Sequence, residues 1–405
     1  MKTIILGPPG TGKTETSIRT VEKFLSQGVP PDRIGYFAFT RRANIEAKHR
    51  AMERFNLSSE DLPYFRTLHS LAYSRMGITR SQIMTRKHYE TVSEWLKIGS
   101  FFARESDHGP FKDIGYGDKY LELINISRIT RTPLRQIYNA SQVRYKADWR
   151  VLEYVDRGLK HYKETYGLHD YADMLIHFVK ADLAPRLEVV IIDEAQDLSA
   201  IQWEMVKLLA QKANHVYIAG DDDQAIYRWA GADIEKFLGL QGDIQVLSQS
   251  YRIPAKHHTM SQKLIQRVIH RHPKQFSPRD EEGYVQWHRH SEAVNMDEGN
   301  WLLLSRTTRG ANQLEEEVRQ RGILYRYDAS RSSDSKVLQA VVLWEKLRDG
   351  KRLHLDEVKR VYEQMILHKQ VGYGHKSMTG ASDESFFNLE DLQKEAVQIQ
   401  TDQLA

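Results

Sequence analysis

The chain contains no cysteine. That absence excludes disulfides, thiolate zinc sites and cysteine nucleophiles, and with nothing pointing to secretion, cytoplasmic residence is the expectation. No apolar run reaches membrane-spanning length and the chain opens on a strand pattern instead of a signal peptide, so no membrane partner is expected. Internal repeats and low-complexity tracts are also missing. Strong charge of either sign is lacking: 58 Lys and Arg against 54 Asp and Glu leave +4, too little for the overall balance to establish a nucleic-acid partner. With 405 residues, 40% of them hydrophobic, the chain can bury more than one core and should form at least two domains.

What is present centres on two acidic loops. Residues 189–192 (VVII) form a short, continuous, β-branched run, the pattern of a strand buried on both faces of a parallel sheet. Asp193 and Glu194 follow at its carboxyl end, the edge where open α/β sheets bind ligands. One carboxylate there can hold magnesium while its neighbour orients an attacking water, although an acidic pair after an apolar run also suits a helix N-terminus. The design recurs where the strand pattern 215–220 runs into Asp221, Asp222, Asp223 and Gln224. A glutamine in that place can sense a terminal phosphate without carrying charge.

Near the amino terminus, GPPGTGKT comprises Gly7, Pro8, Pro9, Gly10, Thr11, Gly12, Lys13 and Thr14, and fits G-x-x-x-x-G-K-[ST] in the strand, loop, helix context the motif requires. The glycines let backbone amides converge on phosphate oxygens. Lys13 adds charge near the β and γ phosphates, Thr14 offers a hydroxyl to magnesium, and a helix starting there directs its positive end at a nucleotide. ATP and Mg2+ are the expected cofactors.

The strings GPPGTGKT, YFAFTRRA (36–43), FRTLHSLAYSR (65–75), DYADML (170–175), IIDEAQD (191–197), AGDDDQAIYRWAGA (219–232) and LSQSYRIP (247–254) stand in the order found in superfamily 1 helicases. Over residues 1–330 the chain resembles the UvrD, Rep and PcrA branch, and the GDDDQ-x-IY-x-W string is the most specific element of the likeness. The resemblance implies an ATP-dependent helicase or translocase on single-stranded DNA or a single-to-double-strand junction, moving 3′ to 5′. It also implies that Glu194 activates water, that Lys13 holds the phosphates, that Thr14 and Asp193 hold magnesium, that Gln224 and Arg252 touch the γ phosphate, and that Tyr251 stacks on adenine. DNA would meet Thr40, Arg41, Thr67, His69, Tyr227 and Trp229, whose aromatic faces suit a grip on any base.

Strand signals at 3–6, 34–39, 189–192 and 216–219, separated by helical stretches, predict an α/β P-loop NTPase with a RecA-like parallel sheet. They vanish between about 77 and 160. The expected organisation is a first motor domain in two parts (1–76 and 161–246), a mainly helical 1B-like insertion (77–160), a partial second motor domain (247–330) and a helical carboxyl segment (331–405). The second motor domain should start with a strand near 246–251, a helix at about 254–269, and strands at 284–288 and 301–304, with strand, helix, strand over 302–327. Six cations between Arg128 and Arg150, interleaved with Tyr138, Tyr145 and Trp149, suit phosphate and base contacts; a solvated helical face with aromatics turned inward is the competing reading. His257, His258, His270 and His272 lack carboxylates spaced to complete a metal site.

The sequence departs from the family pattern in four places. No glutamine stands upstream of Gly7, Glu15 stands where an arginine often lies near the base, and the W-R-G-A pattern is replaced by Trp229-Ala230-Gly231-Ala232 after Arg228. Nothing after Arg309 resembles the T-x-H-x-x-K-G or final arginine motifs, so the likeness implies a truncated or split motor, or one completed by a second protein chain. A nucleotide-gated module that clamps single strands without cycling is the alternative.

Overall fold

A computed structural model describes residues 1–99, 118–296, 298–327, 330–331, 336–364 and 386–387. They divide into two units, Met1–Val285 and Gln286–Ala405. The first is built on β1 (Lys2–Leu6), β2 (Ile34–Ala38), β3 (Phe65–Thr67), β4 (Val189–Asp193), β5 (His215–Gly220) and β6 (Asp243–Val246). These form one six-stranded sheet in the order β3-β2-β4-β5-β1-β6, with every neighbouring pair parallel. The expected RecA-like sheet is present.

Its central strands are largely apolar and buried because both faces are covered. Helix α1 (Lys13–Ser26) lays Ile18, Val21 and Phe24 against Tyr36, Val189 and Ile191 on one face, where α2 (Arg41–Phe55) adds Ala47 and Ala51. On the other face Phe37, Val190, Ile192 and Ile218 pack with Leu68 and Leu71 of α3 (Leu68–Met76). Phe178 of α8 (Tyr171–Lys180) and Met205 of α9 (Ala200–Gln211) complete that core. Alternate residues of β2 and β4 thus belong to two separate cores.

Between α3 and α8 lie α4 (Arg86–Trp95), α5 (Asp118–Ile129), α6 (Leu134–Tyr145) and α7 (Trp149–Tyr166). They carry their own apolar cluster, including Val92, Leu96, Tyr120, Leu152, Val155 and Leu159. A buried ionic network fastens this cluster to α8, which packs on the sheet. Asp170 and Asp173 form the capping box of α8. Arg128 of α5 donates to Asp170 at 2.6 Å and also to Asp173, and Lys163 of α7 donates to both carboxylates at 2.6 Å.

The network divides the basic cluster that had suggested DNA contact. Arg128 belongs to the network, Arg131 pairs with Glu204 at 3.1 Å, and Arg135 lies 4.4 Å from the Trp149 ring, itself edge-on to Tyr138. The side chains of Arg144 and Tyr145 lie outside the described residues. Lys146 and Arg150 are exposed.

Three expectations for the chain after 240 are corrected. The strand looked for at 246–251 lies earlier, at β6, and pairs with β1 in the first sheet. Residues 284–288 and 301–304 are irregular, and Trp287, Leu302 and Leu304 stand 79%, 80% and 79% exposed, because no extended sheet exists among the described residues there to receive them. Over 302–327 only the helix and a two-residue end strand form: α12 (Thr308–Gln320) is followed by β7 (Arg326–Tyr327). The helix expected at about 254–269 occurs as α11 (Ala255–Ile265), and the carboxyl segment expected to be helical contains α13 (Lys336–Arg348). In the second unit α13 and α14 (Leu355–Gln364) close on Trp344, Leu347, Val358 and Tyr362. Residues 388–405 of the segment expected to be helical lie outside the described residues.

Arg128→Ala would leave Asp170 and Asp173 with Lys163 alone. Removing one partner of a buried charge network costs about 3–5 kcal/mol, so denaturant unfolding should show a loss of that size. Although burial opposes ionisation, Arg128 and Lys163 hold Asp170 well below the usual carboxylate range. Its stabilisation is complete above the unfolded-state value of about 4 and disappears as pH falls through the depressed folded value. The wild type should therefore lose stability below about pH 4 more steeply than Arg128→Ala does; parallel acid profiles would contradict this assignment.

Candidate nucleotide site and nucleic-acid face

The phosphate-loop residues connect β1 to α1 along the carboxyl edge of the sheet. Gly10 and Gly12 hold φ of +73° and +82°. At Gly10 a side chain is excluded twice over, because an added Cβ would also lie 2.4 Å from the Arg252 Cβ. Thr11 Oγ1 donates to the Pro8 carbonyl at 2.7 Å, closing the turn. Lys13 folds back to donate to the Gly7 carbonyl at 2.9 Å and lies 3.8 Å from Glu194 Oε2.

Asp193 ends β4 and is buried. Its Oδ2 accepts from Tyr36 Oη at 2.5 Å and from Thr14 Oγ1 at 3.4 Å, and its Oδ1 accepts from the Glu194 amide at 3.0 Å. Burial, and then the neighbouring Glu194, push the Asp193 carboxyl above its ordinary range. The same two causes in the same order raise Asp197 to about 7. A hydroxyl and a carboxylate oxygen converge here in surroundings that disfavour negative charge, which fits a hard divalent cation. Glu194 itself sits at φ +52°, an uncommon conformation for a residue with a side chain, held next to the site it is expected to serve.

The second acidic loop is joined to the first through Gln196. Gln196 Nε2 donates to Glu194 Oε2 at 2.9 Å, and its Oε1 accepts from the Asp221 amide at 3.0 Å. Gly220 allows this approach: a Cβ there would meet Gln196 Oε1 at 2.7 Å. Gln224 Nε2 in turn donates to Asp221 Oδ2 at 2.6 Å. Glu194, Gln196, Asp221 and Gln224 form one hydrogen-bonded chain across the edge.

Residues expected to face the nucleotide from the next segment lie against the phosphate loop. The Tyr251 amide donates to the Gly10 carbonyl at 2.9 Å, and Ser250 Oγ to that of Pro9 at 2.8 Å. Tyr251 and Arg252 are exposed beside it. Glu15, in the place where an arginine often stands, pairs with Arg19 and Arg54. Arg228 pairs with Glu235 at 2.7 Å.

Of the residues expected to meet DNA, Thr40 and Thr67 are helix caps, accepting from the Ala43 amide at 3.0 Å and the Ser70 amide at 3.2 Å. Arg41 is exposed in the first turn that Thr40 caps. His69 lies edge-on to Tyr171 with ring centroids 5.9 Å apart. Tyr227 is 5.7 Å from Phe39 and 6.3 Å from Trp229, so three rings form a row, and Trp229 is 42% exposed. Phe39, Tyr36 and Gln196 escaped the reading of the sequence. Gln196 lay inside the IIDEAQD string, where its position between acids was the available signal.

The parallel sheet, the phosphate loop and the two acids at the end of β4 define a P-loop NTPase of RecA-like fold. Residues 1–245 match the UvrD/REP helicase N-terminal domain, and the chain belongs to that family. It is 25% identical over 275 residues to a probable DNA helicase of Mycoplasma pneumoniae, covering 61% of this chain and 49% of that protein. It is 24% identical over 302 residues to the ATP-dependent DNA helicase PcrA of Bacillus subtilis, covering 69% and 39%. Against DNA helicase II of Haemophilus influenzae the identity is 39% over 102 residues, 22% of this chain and 14% of the other. The chain spans about half or less of the length of these curated relatives.

Gln196→Leu should remove the bridge between the two acidic loops and leave the Asp221 amide without its acceptor. An unsatisfied buried donor costs about 1–3 kcal/mol, and denaturant unfolding should register that loss; unchanged stability would show that the bridge contributes nothing.

Proposed function

We propose that this chain is the nucleotide-driven motor part of an ATP-dependent DNA helicase or translocase that grips single-stranded DNA and moves 3′ to 5′. The observation that carries this reading is the hydrogen-bonded chain from Glu194 to Gln224, set beside Lys13 at one sheet edge, with the rings of Phe39, after β2, and of Tyr227 and Trp229, after β5, in contact beyond it. Family membership and the names of the relatives support it.

In this mechanism the amides of Gly10 and Gly12 cradle the ATP phosphates, Pro8 and Pro9 shape the loop, the amides of Gly7 and Thr11 hold it by donating to the Gly220 and Pro8 carbonyls, and Lys13 exchanges the Gly7 carbonyl for phosphate oxygen. Thr14 and Asp193 would hold Mg2+, which when bound neutralises phosphate charge. Glu194 accepts the proton of the attacking water and is held in orientation by Gln196. Gln224 and Arg252 respond to the γ phosphate, and Arg252 offsets charge developing on it. Tyr251 stacks on the base. Because Gln224 and the Tyr227–Trp229 rings share one loop, movement of the first shifts the second relative to Thr40, Arg41, Thr67 and His69.

Hydrolysis of ATP by the full chain, with and without single-stranded DNA, tests this reading. DNA should stimulate turnover, and Lys13→Ala and Glu194→Gln should each lower kcat by about 100-fold or more. Nucleotide-dependent DNA binding without turnover would replace the motor by a nucleotide-gated clamp or a subunit completed by a second chain.

A further inference from the structure

The three carboxylates of Asp221, Asp222 and Asp223 can bring oxygens within 4.8 Å of one another, close enough to hold a metal ion. A side chain of this protein fills that place. The Lys274 side chain is 1% exposed, and its Nζ lies 2.9 Å from Asp221 and 3.1 Å from Asp223 while also pairing with Asp222. Arg271 adds two bonds to Asp223 at 2.6 and 2.5 Å, and the His272 amide donates to Asp222 at 2.8 Å. Burying an ammonium costs several kcal/mol unless close carboxylates compensate for it. This one is matched by the loop that carries Gln224.

Three residues further on, the same segment joins the other γ-phosphate element. The Ser277 amide donates to the Ser248 carbonyl and the Ser250 amide to that of Ser277, each at 2.8 Å. The Arg279 amide donates to the Ile253 carbonyl at 2.9 Å, and Gln249 Nε2 to that of Pro278 at 2.9 Å. Residues 248–253 rest in turn on Pro9 and Gly10 of the phosphate loop. One short segment therefore grips two loops that are remote in sequence.

We propose that residues 271–279 are a strap that sets Gln224 and Arg252 in a single register against the phosphate loop, with Lys274 as its positioning residue. The strap would transmit a displacement of either phosphate-sensing group to the other. Its functional meaning rests on the roles given above to Gln224 and Arg252; its mechanical meaning does not.

Hydrogen exchange of the nucleotide-free full chain reads the strap without turnover. In Lys274→Met, amides of 221–224 and of 248–253 should exchange faster together, by about 10-fold or more, while β4 keeps its protection, and Lys274→Arg should restore both loops. Faster exchange confined to 221–224 would overturn the strap. Should Lys274→Met also lose protection in β4, Arg271→Gln, which removes only the bidentate pair with Asp223, is judged by the same two outcomes. In ATP hydrolysis with oligo-dT, Lys274→Met should lower kcat about 10-fold and leave KM for ATP within about twofold; a changed KM with unchanged kcat would overturn the positioning role. Absence of DNA-stimulated hydrolysis in the wild type would defeat the motor reading, and the exchange result would still decide on the strap.

Discussion

The carboxylate of Asp221 is fully buried at the end of β5, and the arrangement around it depends on making that burial tolerable. A lone buried carboxylate costs several kcal/mol, so the fold must supply a cation and donors within bonding distance. Lys274 supplies the charge and Gln224 a donor to the carboxylate, while Gln196 takes the backbone amide of the same residue. Three parts of the chain, distant in sequence, are fixed by one residue.

That constraint also separates the two acidic loops by task. Around Asp221 the negative charge is matched internally by Lys274 and Arg271. Around Asp193 the balance differs: burial and Glu194 raise the carboxyl, and Lys13 faces the group at 3.8 Å from Glu194. The loop with an internal cation is suited to holding Gln224 in place. The loop short of positive charge is suited to taking up a metal with its nucleotide. Two strings of aspartates that look alike in sequence thus differ in electrostatics because one of them meets a lysine about fifty residues away.

Much of this is legible in the sequence. Strands β1, β2, β4 and β5 announce themselves as continuous apolar runs because both faces of the sheet are covered. Strand β3 has only three residues, and β6 reads DIQV and is largely exposed at the sheet edge, so neither produces that signal. The apolar stretches 284–288 and 301–304 carry a strand-like composition without strand structure, since composition says nothing of whether a neighbouring strand exists. In the site, Lys13, Thr14, Asp193, Glu194 and Gln224 sit in local strings whose spacing is itself the chemistry. Tyr36 and Lys274 act through partners 157 and 52 residues distant, and local spacing does not disclose those partners.

The central claim is that the Asp193 loop receives the metal and nucleotide while the Asp221 loop, already neutralised by Lys274, positions the group that senses them. A structure of the chain with Mg2+ and a non-hydrolysable ATP analogue tests it most directly. The account predicts density for the metal beside Thr14 and Asp193, the terminal phosphate within hydrogen-bond reach of Lys13 and Gln224, and Lys274 still bound to Asp221. Metal among Asp221, Asp222 and Asp223 with Lys274 displaced would contradict it.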